Sequence, residues 1–217
     1  LLTATTVSNL VAIGRSALEA NTSGTNGVAV GKDALQANTT GDNNTAVGLE
    51  SLHVNTTGDE NTAVGTGALA SNTTASNNTA VGRNALASNT TAANNTAVGY
   101  AALSANTTAA SNTAVGSLAL DAATTGGSNV AVGSSALSDL TTATQNVAVG
   151  DNAGADITTG TRNTCIGALA GEYGGDVLTT GSGNTLIGMG TKPSAADGTS
   201  QIAVSYTHLT LPTNREV

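Results

Sequence analysis

The sequence predicts an all-β protein, a parallel β-solenoid (β-roll) of seventeen-residue coils, and three observations carry that reading. Glycine recurs at Gly14, Gly31, Gly48, Gly65, Gly82, Gly99, Gly116, Gly133, Gly150 and Gly167, and again at Gly188 after one four-residue insertion. Each glycine closes a short β-branched phrase, such as Asn44-Thr45-Ala46-Val47-Gly48. Four places after it stands leucine, from Leu18 and Leu35 through to Leu137. A fixed period below about twenty residues describes one small unit stacked on copies of itself.

Within a coil, the residue three places before the glycine is Val or Thr, and the residue just before it is Val or Ile. Between them stands Ala, in nine successive copies from Ala12 to Ala148. Such alternation is a strand signature, and the Val/Ile side is expected to face the coil interior. The alanine column then faces outward. A solvent-facing strand position tolerates almost any polar residue, so unbroken alanine implies close approach of another surface. Ala29, Ala46, Ala63, Ala80, Ala97, Ala114 and Ala131 are therefore the expected subunit interface.

The glycine permits a turn that a residue with a Cβ resists. The leucine beyond it, mostly preceded by Ala, is read as a second inward strand. Seven places after the glycine come Asn21, Asn38, Asn55, Asn72, Asn89 and Asn106, each opening an Asn-Thr-Thr or Asn-Thr-Ser turn. Later coils exchange residues between these places: Gly154 and Gly171 replace leucine, while Leu140, Ile157 and Leu178 replace asparagine. The two positions are expected to reach one corner of the core, one filling as the other empties. A helix-containing repeat needs twenty residues or more, and Asn-Thr-Thr disfavours it. With strands about 4.8 Å apart, the stacked coils make a rod about 50–60 Å long. Each coil offers few sizeable apolar side chains, so the rod is expected to be a homotrimer that gains burial from its partners.

Composition narrows the function. The chain of 217 residues has no Phe or Trp, and its charged fraction of 9% leaves solvation to Asn, Thr, Ser and Gly. The net charge is −8 and the six basic residues are scattered, so no basic stripe invites nucleic acid. One cysteine supports neither a disulfide framework nor a cysteine-based metal cage. No apolar run approaches the roughly twenty residues that span a bilayer as a helix. The repeat region occupies 1–204, with an insertion near 172–177 and a degenerate last coil over 189–204, where Lys192 takes the leucine place and Pro193 follows. The chain reads as a fragment open at its N-terminal end. Residues 205–217 match no coil; they resemble a translated sequencing-adapter tail and are read as non-native.

The phrases Asn9-Leu10-Val11-Ala12-Ile13-Gly14 and Asn129-Val130-Ala131-Val132-Gly133 resemble the coil motif of trimeric autotransporter adhesin heads, the YadA-like left-handed β-roll. The longer unit, Asn-Asn-Thr-Ala-Val-Gly followed by Ala-Leu and Asn-Thr-Thr, also resembles repeats of tail-fibre-like proteins. The resemblance covers about residues 7–204, and its seventeen-residue coil is longer than the adhesin unit. It implies a structural or adhesive module on the bacterial cell surface, extracellular and anchored by a segment outside this chain. The implied partner is a host receptor, matrix protein or glycan. A virion tail fibre and an ice-binding solenoid are the alternatives, and no residue role carries over.

Candidate chemistry is sparse. His53 sits at a variable place, and no carboxylate pair recurs beside a histidine or serine, so catalysis has no support. Asp42, Asp59 and Glu60 fall in consecutive turns but lack the Gly-Gly-x-Gly-x-Asp phrase of calcium rolls; no metal or cofactor is expected. Cys165 stands in the alanine column as a small hydrophobe. The sequons at Asn21 to Asn106 read as stacked Asn and Thr ladders. An ice-binding face wants two outward Thr columns spaced by an inward residue, and the adjacent Thr pairs supply one. The insertion carries Tyr173 and Asp176, and a protruding aromatic loop is the candidate receptor contact.

Overall fold

The computed structural model describes residues 9–172 and 177–205. Twelve three-residue strands, from β1 (Val11–Ile13) and β2 (Val28–Val30) to β12 (Ile202–Val204), form one parallel sheet in sequential order. The register steps by one coil throughout, as in Val28↔Thr45, Ala29↔Ala46 and Val30↔Val47. No helix occurs among the described residues. The chain is thus an all-β parallel solenoid of seventeen-residue coils, as the period predicts.

Each coil contains one strand rather than two. The leucine segment is a stack of turns in which right- and left-handed residues alternate: φ is +56° at Asp33 and +48° at Leu35, and +56° at Glu50 and +48° at Leu52. Rungs still join there, Leu35 N–H donating to Ser51 O at 3.0 Å and Ala37 N–H to His53 O at 3.1 Å. A left-handed residue costs about 1–2 kcal/mol, which burial of a leucine, worth about 1.5–3 kcal/mol, offsets. Leu35, Leu52, Leu69, Leu86, Leu103, Leu120 and Leu137 are all fully enclosed. A β-branched residue at this φ would be an outlier, which accounts for leucine, never Val or Ile, in the column.

The orientation of the strand is the reverse of the sequence expectation. Ala29, Ala46, Ala63, Ala80, Ala97, Ala114 and Ala131 have no exposed surface within a single chain, while Val64, Val81, Val115, Val132 and Val149 are 36–38% exposed. The alanines point into the coil and the β-branched residues point out. The interior is one narrow layer, and a methyl is all that fits opposite leucine and asparagine.

The exchange of volume in the later coils is a packing fact. A Cβ at Gly154 would stand 3.0 Å from Ile157 Cδ1 and 3.5 Å from Cys165 Sγ; one at Gly171 would stand 3.3 Å from Cys165 Sγ and 3.6 Å from Leu186 Cδ1. So the emptied leucine place is filled from two directions, by the asparagine column and by the alanine column.

Two inward asparagine ladders complete the core. In the first, Asn38 Nδ2 donates to Asn21 Oδ1 (2.9 Å), Asn55 to Asn38 (3.0 Å), Asn72 to Asn55 (2.8 Å), Asn89 to Asn72 (2.9 Å) and Asn106 to Asn89 (2.9 Å). The second runs from Asn44 to Asn184, one place before the strand. In it the backbone N–H of Asn61 donates to Asn44 Oδ1, and that of Asn78 to Asn61 Oδ1, each at 3.0 Å. Both ladders aim amide hydrogens at the same carbonyl. Ala75 O accepts from Asn61 Nδ2 (2.8 Å) and Asn72 Nδ2 (3.0 Å). Polar groups are buried here because each asparagine rung is satisfied by its neighbours up to the last, Asn106, in the first ladder.

Candidate functional site

The outward side of the sheet is the feature most unlike an ordinary surface. Two columns of side chains stand on it, spaced by the inward alanine. One is Val or Ile in every strand, from Ile13 to Val204; the other is Thr in seven strands (Thr45, Thr62, Thr79, Thr96, Thr113, Thr164 and Thr185) and Val or Ile in the remaining five. Neither carries a charge. Twelve strands at about 4.8 Å make the face about 55 Å long, and with a width of about 10 Å its footprint is on the order of 550 Å². That is within the size range of the largest patches a monomer ordinarily exposes, but here one column is aliphatic and the other mostly threonine. The column bordering it is mixed: Leu49, Tyr100 and Met189 are exposed there, Arg15, Lys32, Arg83 and Asp151 stand in the same column, and Arg83 is 6.0 Å from the Tyr100 ring centre.

This corrects the proposed interface. Ala29, Ala46, Ala63, Ala80, Ala97, Ala114 and Ala131 are sealed inside their own coils and reach no other chain. The same holds for Cys165, a buried thiol that burial pushes up to about 12; an inter-chain crosslink has no route. Tyr173 and Asp176 lie outside the described residues.

The remaining candidates resolve into structural roles. His53 is half-buried, its Nδ1 3.3 Å from Asp33 O. Asp42 Oδ1 accepts from the Thr25 N–H (2.6 Å) and Asp59 Oδ1 from the Asp42 N–H (2.7 Å), so these carboxylates staple one turn to the next. No group of three His, Cys, Asp or Glu suited to a metal occurs among the described residues. Asn38, Asn55, Asn72, Asn89 and Asn106 spend their amide hydrogens in the sealed ladder, which leaves no nitrogen free for a glycan. The first Thr of each pair donates to the carbonyl of its successor, as Thr39 Oγ1 to Thr56 O at 2.9 Å, and the second is exposed. Two outward columns spaced by an inward residue lie on the sheet instead, where one column is wholly aliphatic.

An acidic row also crosses successive coils at Asp121, Asp139, Asp156 and Glu172. Desolvation raises the Asp121, Asp156 and Glu172 carboxyls, and repulsion from Asp139 adds to each. A raised folded-state value means that stability is fully present below the unfolded value, near 4, and is lost as pH rises through the folded one. Asp139→Asn is therefore expected to stabilise by a few tenths of a kcal/mol at neutral pH and to have no effect at pH 3; thermal melts at the two pH values check it.

Sequence reasoning missed the second asparagine ladder. Its signal was present, since Asn holds that place from Asn44 to Asn184 wherever Thr or Val follows.

Fold and face together define a parallel β-solenoid repeat protein with one flat, uncharged side. No known family, no curated protein and no solved structure matches the chain.

Proposed function

We propose that the chain is a structural and adhesive module of a bacterial surface fibre, in which three copies pack through their outward sheet faces. The observation that supports this is the double column of Val/Ile and Val/Thr running the length of the rod without a charge. Water contact along its aliphatic column is unfavourable, and burial against partner copies removes that contact. Three flat faces close around one axis, so the assembly is finite and leaves the turns outside. Such a trimer displays three equal surfaces at fixed spacing to a receptor, matrix protein or glycan, and gains avidity of 10²–10⁴ without a deep pocket. A virion tail fibre uses the same construction.

Sedimentation of the purified chain tests the assembly. A species of three times 20.8 kDa is expected. Joint substitution of Val81, Val98 and Val115 by lysine should yield a monomer with unchanged circular dichroism and no binding to cells that the parent binds. A parent chain that is monomeric and folded at micromolar concentration overturns the reading. Thermal hysteresis in that monomer would assign the face to ice instead, since its alternation of outward methyl and hydroxyl groups fits that use.

A further inference from the structure

The first asparagine ladder ends abruptly, and its end is chemically incomplete. Asn106 is fully buried, and its Nδ2 donates to Asn89 Oδ1 (2.9 Å) and to Ala109 O (3.0 Å) as in the coils before it. Its Oδ1, however, has no partner. In every earlier rung that oxygen accepts from the next asparagine, but the next residue in the column is Ala123, also fully enclosed. A second acceptor faces the same spot. Each preceding asparagine also donates to the small residue three places on, Asn72 to Ala75 O and Asn89 to Ala92 O, both at 3.0 Å. In the Ala123 coil that carbonyl belongs to Gly126, which accepts from Asn112 Nδ2 at 2.9 Å but has no asparagine three places before it.

The two acceptors thus converge on the point that a carboxamide nitrogen occupies in five other coils. We propose that a single buried water molecule sits beside Ala123, donating one hydrogen to Asn106 Oδ1 and the other to Gly126 O. Water supplies two donors in the volume of one heavy atom, as the missing Nδ2 would. Two polar partners are the minimum that holds a buried water, and leaving an acceptor bare costs about 1–3 kcal/mol. A hard cation takes six or more oxygens, and two neutral ones fall well short. The site is a seam in this column: before it the column is asparagine, and after it the column turns apolar through Leu140, Ile157 and Leu178, while the second ladder continues.

A high-resolution crystal structure of the whole chain tests this, together with melts of two variants. A solvent peak within hydrogen-bonding distance of both oxygens is expected. In Ala123→Asn the carboxamide nitrogen should replace that peak and the melting temperature should rise. Ala123→Leu, which places beside Asn106 the residue type the column uses at Leu140, should expel the water, leave Asn106 Oδ1 without a donor and lower the melting temperature. An empty or methyl-filled position in the parent crystal, or a leucine variant as stable as the asparagine variant, overturns the proposal.

Discussion

Gly82→Ala is expected to break the rod where it stands. Gly82 has φ of +137°, a region closed to L-residues, and an added Cβ would be driven into the backbone carbonyl of Gly99 in the next coil. That carbonyl belongs to main chain and has no rotamer to yield. The strain alone costs about 1–3 kcal/mol. Parting these two coils also endangers the bond from Gly99 N–H to Val81 O, 2.8 Å. A loss above about 3 kcal/mol is expected in urea denaturation, at the exceptional end for one substitution. Gly67→Ala is the control. Its φ is +68°, Ala101 already holds the equivalent place at +53°, and the nearest atom is the mobile Asn84 side chain. Equal losses in the two variants would mean that the stacking contact does not limit the glycine column.

Asn72→Asp, a change of one atom, is expected to cost about 3–5 kcal/mol at neutral pH. The side chain is sealed, and Nδ2 donates to Asn55 Oδ1 (2.8 Å) and Ala75 O (3.0 Å). A carboxylate there donates to neither, faces two acceptors, and brings a buried charge with no described cation beside it. Its folded-state pKa must rise far above the unfolded value of about 3.9. The destabilisation is therefore smallest below about pH 4, where a protonated oxygen restores one of the two donations, and grows as pH rises toward the folded value. Melting temperatures of parent and variant from pH 3 to 8 should differ least at the acid end, with a residual gap for the one bond still missing. A gap independent of pH would show that the ladder is open to water.

Much of this was legible from the repeat. Gly82 and its equivalents mark the corner because only glycine occupies it, and Leu86 and its equivalents are inward because nothing else buries a large side chain in each coil. The exchange of Gly154 for Ile157 correctly announced a shared pocket. What misled was Ala80. In Thr79-Ala80-Val81 the alternation places alanine opposite valine, but period two is symmetric and does not say which side is inside. The cue lay in the same columns: Cys165 and Leu186 enlarge the alanine place where Gly154 and Gly171 empty the leucine place, and only residues in one core trade volume. The second strand was misassigned because Ala85-Leu86 carries no mark of a left-handed φ, a conformation leucine adopts only when the stack above and below holds it there.

The amino-acid sequence by itself determined the coil length, the parallel rung-on-rung stacking and the all-β class, because a period leaves its trace in one dimension. The tertiary structure alone decided which face of each strand lies inside. That choice depends on how wide the coil closes, and its width is set by contacts among leucine, alanine and two asparagine columns that are distant along the chain. From it follows the character of the sheet's surface: alanine is hidden, and valine and threonine meet the outside.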